Sequence, residues 1–153
     1  MQGNVASQPV VVCVSFSRTH TISKKTVQSI LLIEDFGVEG DAHAGPTDQH
    51  LFHIRRFGPT PNLRQVHLIH AELFDELAEK GHSVCPGDLG ENIVTRGVDL
   101  LSLPTGTCLK LGPLAVIEIT GLRNPCKQIE NFQAGCLRRW PSRRRMGWCV
   151  RAV

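Results

Sequence analysis

Residues Ile93–Thr120, IVTRGVDLLSLPTGTCLKLGPLAVIEIT, decide the fold class. Ile93–Thr95, Thr107–Leu111 and Leu114–Thr120 are short runs of β-branched and aliphatic residues, too brief for buried helices and bounded by Gly and Pro. Gly112-Pro113 marks a tight turn between the last two. Working outward, Gln8–Phe16 (QPVVVCVSF) reads as a buried strand, Thr26–Ile33 (TVQSILLI) as a second and Arg64–Ile69 as a third. One segment breaks the pattern. His70–Lys80 (HAELFDELAEK) places Leu73, Phe74, Leu77 and Ala78 on one helical face, with Gly81 as a stop. Asn124–Phe132 begins a further helix. Gly37–Gly45 (GVEGDAHAG) and Pro86–Asn92 (PGDLGEN) are Gly-rich turns, and Pro46–Pro61 is an excursion loop with Pro and Gly as breakers. The expected architecture is mainly β, a β-barrel with one prominent helix and short flanking helices.

The chain has 153 residues, which fits one domain large enough to bury a core without a disulfide or metal staple. With 41% hydrophobic, 20% charged and 5% aromatic residues it is not collagen-like, wholly disordered or a coiled coil. No apolar run approaches the roughly 20 residues of a membrane helix. Met1–Gln8 carries no Lys or Arg, so it does not read as a secretory signal, and a cytoplasmic location is expected. The six cysteines form no C-x-x-C pair and read as reduced thiols. Net charge is +3, unevenly placed. Leu137–Val153 holds six arginines and no acid, which leaves residues 1–136 at −3.

The strongest chemical pattern is Thr120–Lys127, TGLRNPCK. Cys126 follows a strand and a turn and lies where a helix starts. A helix N-terminus together with Arg123 and Lys127 favours thiolate, the form that attacks sulfur or binds a soft metal. The competing reading is a small buried hydrophobe. Cys13 and Cys108 sit in apolar strands and are expected in the core. Cys85 precedes Pro86 in a turn, and Cys136 and Cys149 fall in the ambiguous C-terminal segment. His50-Leu-Phe-His53 and His67-Leu-Ile-His70 have i,i+3 spacing, yet without a Cys pair or an HExxH helix they are weak evidence for zinc. His43, between glycines, is placed to face a ligand or to bond backbone in its turn. The Gly-rich turns match neither a Walker A nor a dinucleotide fingerprint. The Arg-rich segment, with only Trp140 and Trp148 as aromatics, reads as solvated rather than as a nucleic-acid surface.

Four blocks, GVEGDAHAG, NLRQVHLIHAELFDEL, PGDLGENIVTRGVDLLSLPTGTCLKLG and VIEITGLRNPC, occur in this order. Together they resemble the MOSC domain family, named for the C-terminal domain of molybdenum cofactor sulfurase, and in particular its stand-alone bacterial-type members. The likeness is strongest from residue 10 to 132 and treats residues 1–153 as a single domain. It implies a mainly β, barrel-like domain that binds the molybdenum cofactor (molybdopterin, a pterin dithiolene carrying a phosphate) or handles sulfur. It implies Cys126 as sulfur carrier or as thiolate ligand of molybdenum. Arg64, Arg96, Arg123 and Lys127 would face the cofactor's phosphate, and His43 and Asn92 the pterin edge. The Gly-rich turns would approach the pterin through backbone groups.

The resemblance further implies an oxidoreductase for N-hydroxylated substrates, served by a separate electron-donor protein. The alternative is a sulfur carrier that takes a persulfide from a sulfur donor and delivers it from Cys126 to metal–sulfur centres. A third reading is a non-catalytic module docking through the Arg-rich segment. Pyridoxal phosphate is a family-level label and is not expected here; neither a membrane nor nucleic acid is expected as partner. One departure stands out. Met146–Val153 begins the family's closing hairpin and stops, so a sheet edge is expected to lack its partner.

Overall fold

The computed structural model describes residues 8–125, 127–136, 138, 140 and 146–153. Strand β1 (Val10–Phe16) pairs antiparallel with β2 (Lys25–Val27). Between them and the next large strand lie a small hairpin, β3 (Leu32–Ile33) and β4 (Gly37–Val38), and helix α1 (Leu51–Phe57). Strand β5 (Val66–His70) leads through helix α2 (Glu72–Glu79) to β6 (Ile93–Arg96), which lies parallel to it. Then follow β7 (Cys108–Leu111), β8 (Ala115–Arg123), helix α3 (Lys127–Phe132) and β9 (Gly147–Ala152). The large sheet has the order β2-β1-β6-β5-β9-β8-β7, and β5–β6 is its one parallel pair.

The mainly β reading holds, but the barrel does not close among the described residues. β2 and β7 remain the two edges of an open sheet. The physical reason lies at β2. The expected strand Thr26–Ile33 breaks at Gln28, and the chain leaves the large sheet to build the β3–β4 hairpin, which drives Val38 into the core. The expected loop at residues 46–61 also differs, because it contains α1. Arg55 and Arg56 sit in that helix's last turn, favourable for the dipole, and Gly58 at φ 71° ends it.

The core forms on both faces of the sheet, as the two-residue period of the strands requires. Val66 and Leu68 of β5 pack with Ile93, Ile117, Ile119, Trp148 and Val150. The intervening Ile69 packs on the other face with Leu73 and Leu77 of α2, Ile129 of α3 and Met146. The Trp148 indole N–H donates to the Leu100 carbonyl at 2.6 Å, so the buried ring leaves no polar orphan. Cys108 is exposed on edge strand β7 and Cys13 is half-buried, contrary to the core placement expected for both. The long alternating strand β8 does not rescue Cys108, because β7 has no neighbour beyond it among the described residues.

Strand β9 is interior to the sheet, and the unpaired edges fall at β2 and β7 among the described residues. Val150 faces Val66 on one side and Ile119 on the other, so β9 occupies an interior position. Its Arg151 is committed to Glu118 at 2.6 Å. Arg139 and Arg143–Arg145 of the Arg-rich segment lie outside the described residues. No helix among the described residues is long and apolar enough to cross a membrane.

Gly147 lets β9 enter. A Cβ there would run into the Leu68 carbonyl oxygen and crowd Ile69, whereas a Cβ on Gly121 of β8 would meet nothing. Gly147→Ala should therefore cost about 2–3 kcal/mol, the range of an overpacked core. Gly121→Ala should change stability by less than about 1 kcal/mol. Urea denaturation of the two variants checks this, and equal midpoints would contradict the placement of β9.

Candidate functional site

Lys24, just before β2, carries an ammonium that is almost wholly buried. It donates to both Asp41 carboxylate oxygens, at 3.0 and 2.9 Å, and to the Asn92 side-chain carbonyl at 3.1 Å. Asp41 also accepts from the Ser17 and His43 backbone N–H groups and from the Asn92 amide. Asn92 completes the set by accepting from the His67 backbone N–H and donating to the Ser15 carbonyl. Burial acts to raise the Asp41 pKa. Hydrogen bonds from His43 and the Lys24 charge outweigh it and hold the carboxyl well below the usual range. Burial lowers the Lys24 pKa, and Asp41 opposes it.

Three imidazoles surround this network. The His43 and His50 ring centroids are 4.5 Å apart, and both lie 5.3 Å from that of His67. Each Nδ1 has a fixed partner: the Asp41 carboxylate for His43, the Asp48 carboxylate for His50 at 2.8 Å and the Gly90 carbonyl for His67. The Asp48 and Gly90 oxygens only accept, whereas His43 Nδ1 also lies 3.4 Å from the Lys24 ammonium, which only donates. For His50 and His67 the Nδ1 is thereby assigned the proton, and the Nε2 keeps a lone pair. Burial pushes all three pKa values down: His50 to about 4, His67 well below its ordinary value, and His43 in the same direction. The trio is neutral at pH 7.

His53 Nδ1 also lies 3.1 Å from the Asp48 carboxylate. Beside it opens a cleft of about 290 Å³, lined by His53, Leu63, Arg64, Thr120, Gly121 and Cys149 among others. Burial raises the Cys149 pKa and the Arg64 guanidinium opposes it. Among the described residues no group of three or more His, Cys, Asp or Glu side chains could hold a metal ion. The two H-x-x-H pairs split accordingly. His50 and His67 join the trio, while His70 lies apart with a buried Nδ1 that has no partner.

Of the expected site residues, His43 and Asn92 meet in the network, and Arg64 lines the adjoining cleft. Arg123 reaches from β8 to the second Gly-rich turn, where its Nη2 donates to the Leu89 carbonyl at 2.7 Å. Arg96 is not brought to them. It ends β6, four residues beyond Asn92 along the chain, and its exposed side chain pairs with Asp75 on α2 at 2.9 Å. Lys127 is exposed at the first residue of α3. Cys126 lies outside the described residues.

The second Gly-rich turn approaches protein backbone. A Cβ at Gly87 would strike the Lys24 carbonyl, and one at Gly90 the Ile22 carbonyl; both residues have positive φ, 92° and 78°. Lys24, Asp41, Asp48 and Cys149 were not singled out as site residues from the sequence. Two of them carried a signal: Asp41-Ala-His43 and Asp48-Gln-His50 repeat one Asp-x-His pattern. In both, the Asp accepts from the His backbone N–H at 2.9 Å and from the His ring, an Asx turn that fixes the imidazole.

The family model for the MOSC domain matches residues 40–153. The YuaD protein from Bacillus subtilis has a similar structure, with TM-score 0.74 and 22% identity, covering 95% of this chain and 91% of that one. YiiM from Escherichia coli is similar with TM-score 0.62 and 19% identity over 94% of this chain, which spans 62% of YiiM. YiiM from Geobacillus stearothermophilus gives TM-score 0.63, 15% identity, and coverage of 95% and 68%. No curated protein matches in sequence. At these identities the solved structures speak to the fold.

Asp41→Asn leaves the Lys24 charge buried without its counterion and should cost about 3–5 kcal/mol, read by urea denaturation. Acid should act through the imidazoles first. Between pH 6.5 and about 4 the unfolded chain takes up protons that folded His50 refuses, so stability falls with pH across that window. His50→Gln should flatten the fall. A denaturation midpoint constant from pH 7.5 to 5 would count against the buried neutral trio.

Proposed function

Because the chain belongs to the MOSC domain family, whose members are linked to molybdenum cofactor and sulfur chemistry, we propose that it binds the molybdenum cofactor beside the imidazole trio. On this reading it acts as an oxidoreductase on N-hydroxylated substrates. The observation that carries the proposal is the donor set of the cleft and trio. The pterin edge is rich in N–H donors, and the Nε2 lone pairs of neutral imidazoles accept from such donors. The cofactor's phosphate needs a cation, and Arg64 lines the cleft. At about 290 Å³ the cleft stands at the small end of ligand sites. When bound, the group supplies two-electron redox chemistry at molybdenum.

The chain's own residues would divide the remaining work. Asp41 orients His43, and Asp48 holds His50 in one tautomer and orientation. The Lys24 ammonium lowers the cost of a carboxylate beside the ligand. His53 and Arg64 line the cleft wall and would face a substrate there. Cys126 is assigned as the thiolate ligand on its place in the sequence, between Arg123 and Lys127. The sulfur-carrier reading uses the same thiolate and differs in the species it carries, a persulfide.

Protein purified from a host that makes the cofactor should contain close to one molybdenum per chain by elemental mass spectrometry. Arg64→Ala and Cys126→Ala should each lower that content at least tenfold without unfolding the protein. Metal-free protein from such a host would overturn the cofactor reading. Added sulfur on Cys126 after incubation with a cysteine desulfurase, seen by intact mass, would then favour the carrier.

A further inference from the structure

Helix α1 contributes no buried residue to the core. Leu51, Phe52 and Phe57 are 52%, 68% and 59% exposed, and Ile54 and the flanking Leu63 are exposed as well. A seven-residue helix with its large apolar side chains in water is poorly stabilised by its own propensity. His53 is the residue that faces the body, through Asp48. At 100° per residue, Leu51 and Arg55 fall on the side opposite His53, with Phe52 and Ile54 flanking them. Arg55 therefore stands among exposed apolar groups. A membrane-surface helix separates its basic and apolar faces, and α1 interleaves them. That mixture suits a protein surface supplying carboxylates between apolar groups.

The same chain carries such a surface. The β3–β4 hairpin exposes Leu31 at 57%, with Ile33 and Phe36 also exposed, and the acids Glu34, Asp35 and Glu39 stand among them. The segment from residue 49 to 64 contains three arginines and no acid, and the hairpin segment from 31 to 39 contains three acids and no base. Among the described residues neither Arg55, Arg56, Glu34 nor Glu39 is in an ion pair within the chain. One backbone bond ties the segment leading to α1 to the hairpin. The Gly45 N–H donates to the Phe36 carbonyl at 2.8 Å, and Gly45 lies four residues before Gln49 at the approach to α1. The hairpin is also held in place, since the Asp35 N–H donates to the Ala152 carbonyl of β9 at 3.0 Å.

We propose that these patches bind a second copy of the chain. In a two-fold dimer α1 of each protomer packs on the β3–β4 hairpin of its partner, so that every apolar–basic patch meets an apolar–acidic one. A two-fold arrangement makes the contact twice and closes the assembly. The proposal does not rest on the cofactor reading.

Sedimentation velocity of the full chain tests it. A dimer is expected at tens of micromolar, with dissociation strengthened at least tenfold by raising salt from 0.05 to 0.5 M. The variant Arg55→Glu/Arg56→Glu, which touches no core group, should be monomeric. The variant Glu34→Lys/Glu39→Lys should be monomeric too. Mixed one to one, the two should form a heterodimer, because each α1 then faces a hairpin of opposite charge. A wild-type chain that stays monomeric at 200 micromolar overturns the proposal. So does a dimer that persists in either variant, or a mixture of the two that fails to associate.

Discussion

The arrangement around the site depends on one buried ion pair, Lys24 with Asp41. Two charges out of water are tolerated when they are paired and their remaining valences are met. Here Asn92 and the Ser17 and His43 backbone N–H groups meet them. The pair ties the end of β1, the segment before β2, the first Gly-rich turn and the start of β6 at one point. Asn92 extends the tie to β5 through the His67 N–H. The positions of His43 and His67 follow from this network, and that of His50 from the matching Asp48 turn. The imidazoles are a consequence of the ion pair as much as of their own packing.

The glycines of the second turn serve the same end. Gly87 and Gly90 bring their backbone against the carbonyls of Lys24 and Ile22, closer than any side chain allows. The Gly87 N–H then donates to the buried Glu91 carboxylate, whose pKa is raised by burial. Arg123 closes the turn from the β8 side. A motif that reads as a ligand cradle is thus the clamp that seats the lysine. What it offers a ligand is the orientation of its neighbours.

Much of the fold was legible because strands advertise themselves. Val66–His70, Ile93–Arg96 and Ala115–Arg123 show β-branched residues in short runs between turn residues, and α2 shows a single apolar stripe. Legibility failed where a pattern and its burial part company. α1 carries apolar residues that it does not bury, so its periodicity points to no core. β9 is interior, but arginines precede it and mask its character. The barrel expectation rests on short strands separated by frequent turns and on the family resemblance, and neither says where a sheet edge stops. At the site, His43 and Asn92 were visible from their turns, whereas Lys24 looks in Ser-Lys-Lys-Thr like any surface base. Arg96 misled because sequence proximity to Asn92 hides the length of a strand.

The interior position of β9 has a kinetic side. The group β2-β1-β6-β5 and the pair β8-β7 share no ladder of their own; β9 joins them as a zip joins two panels of cloth. Until it docks, β5 and β8 both present open hydrogen-bonding rims to the solution. Such rims recruit foreign strands as readily as the proper one. The chain is therefore most exposed to misassembly during the interval before that single segment finds its slot.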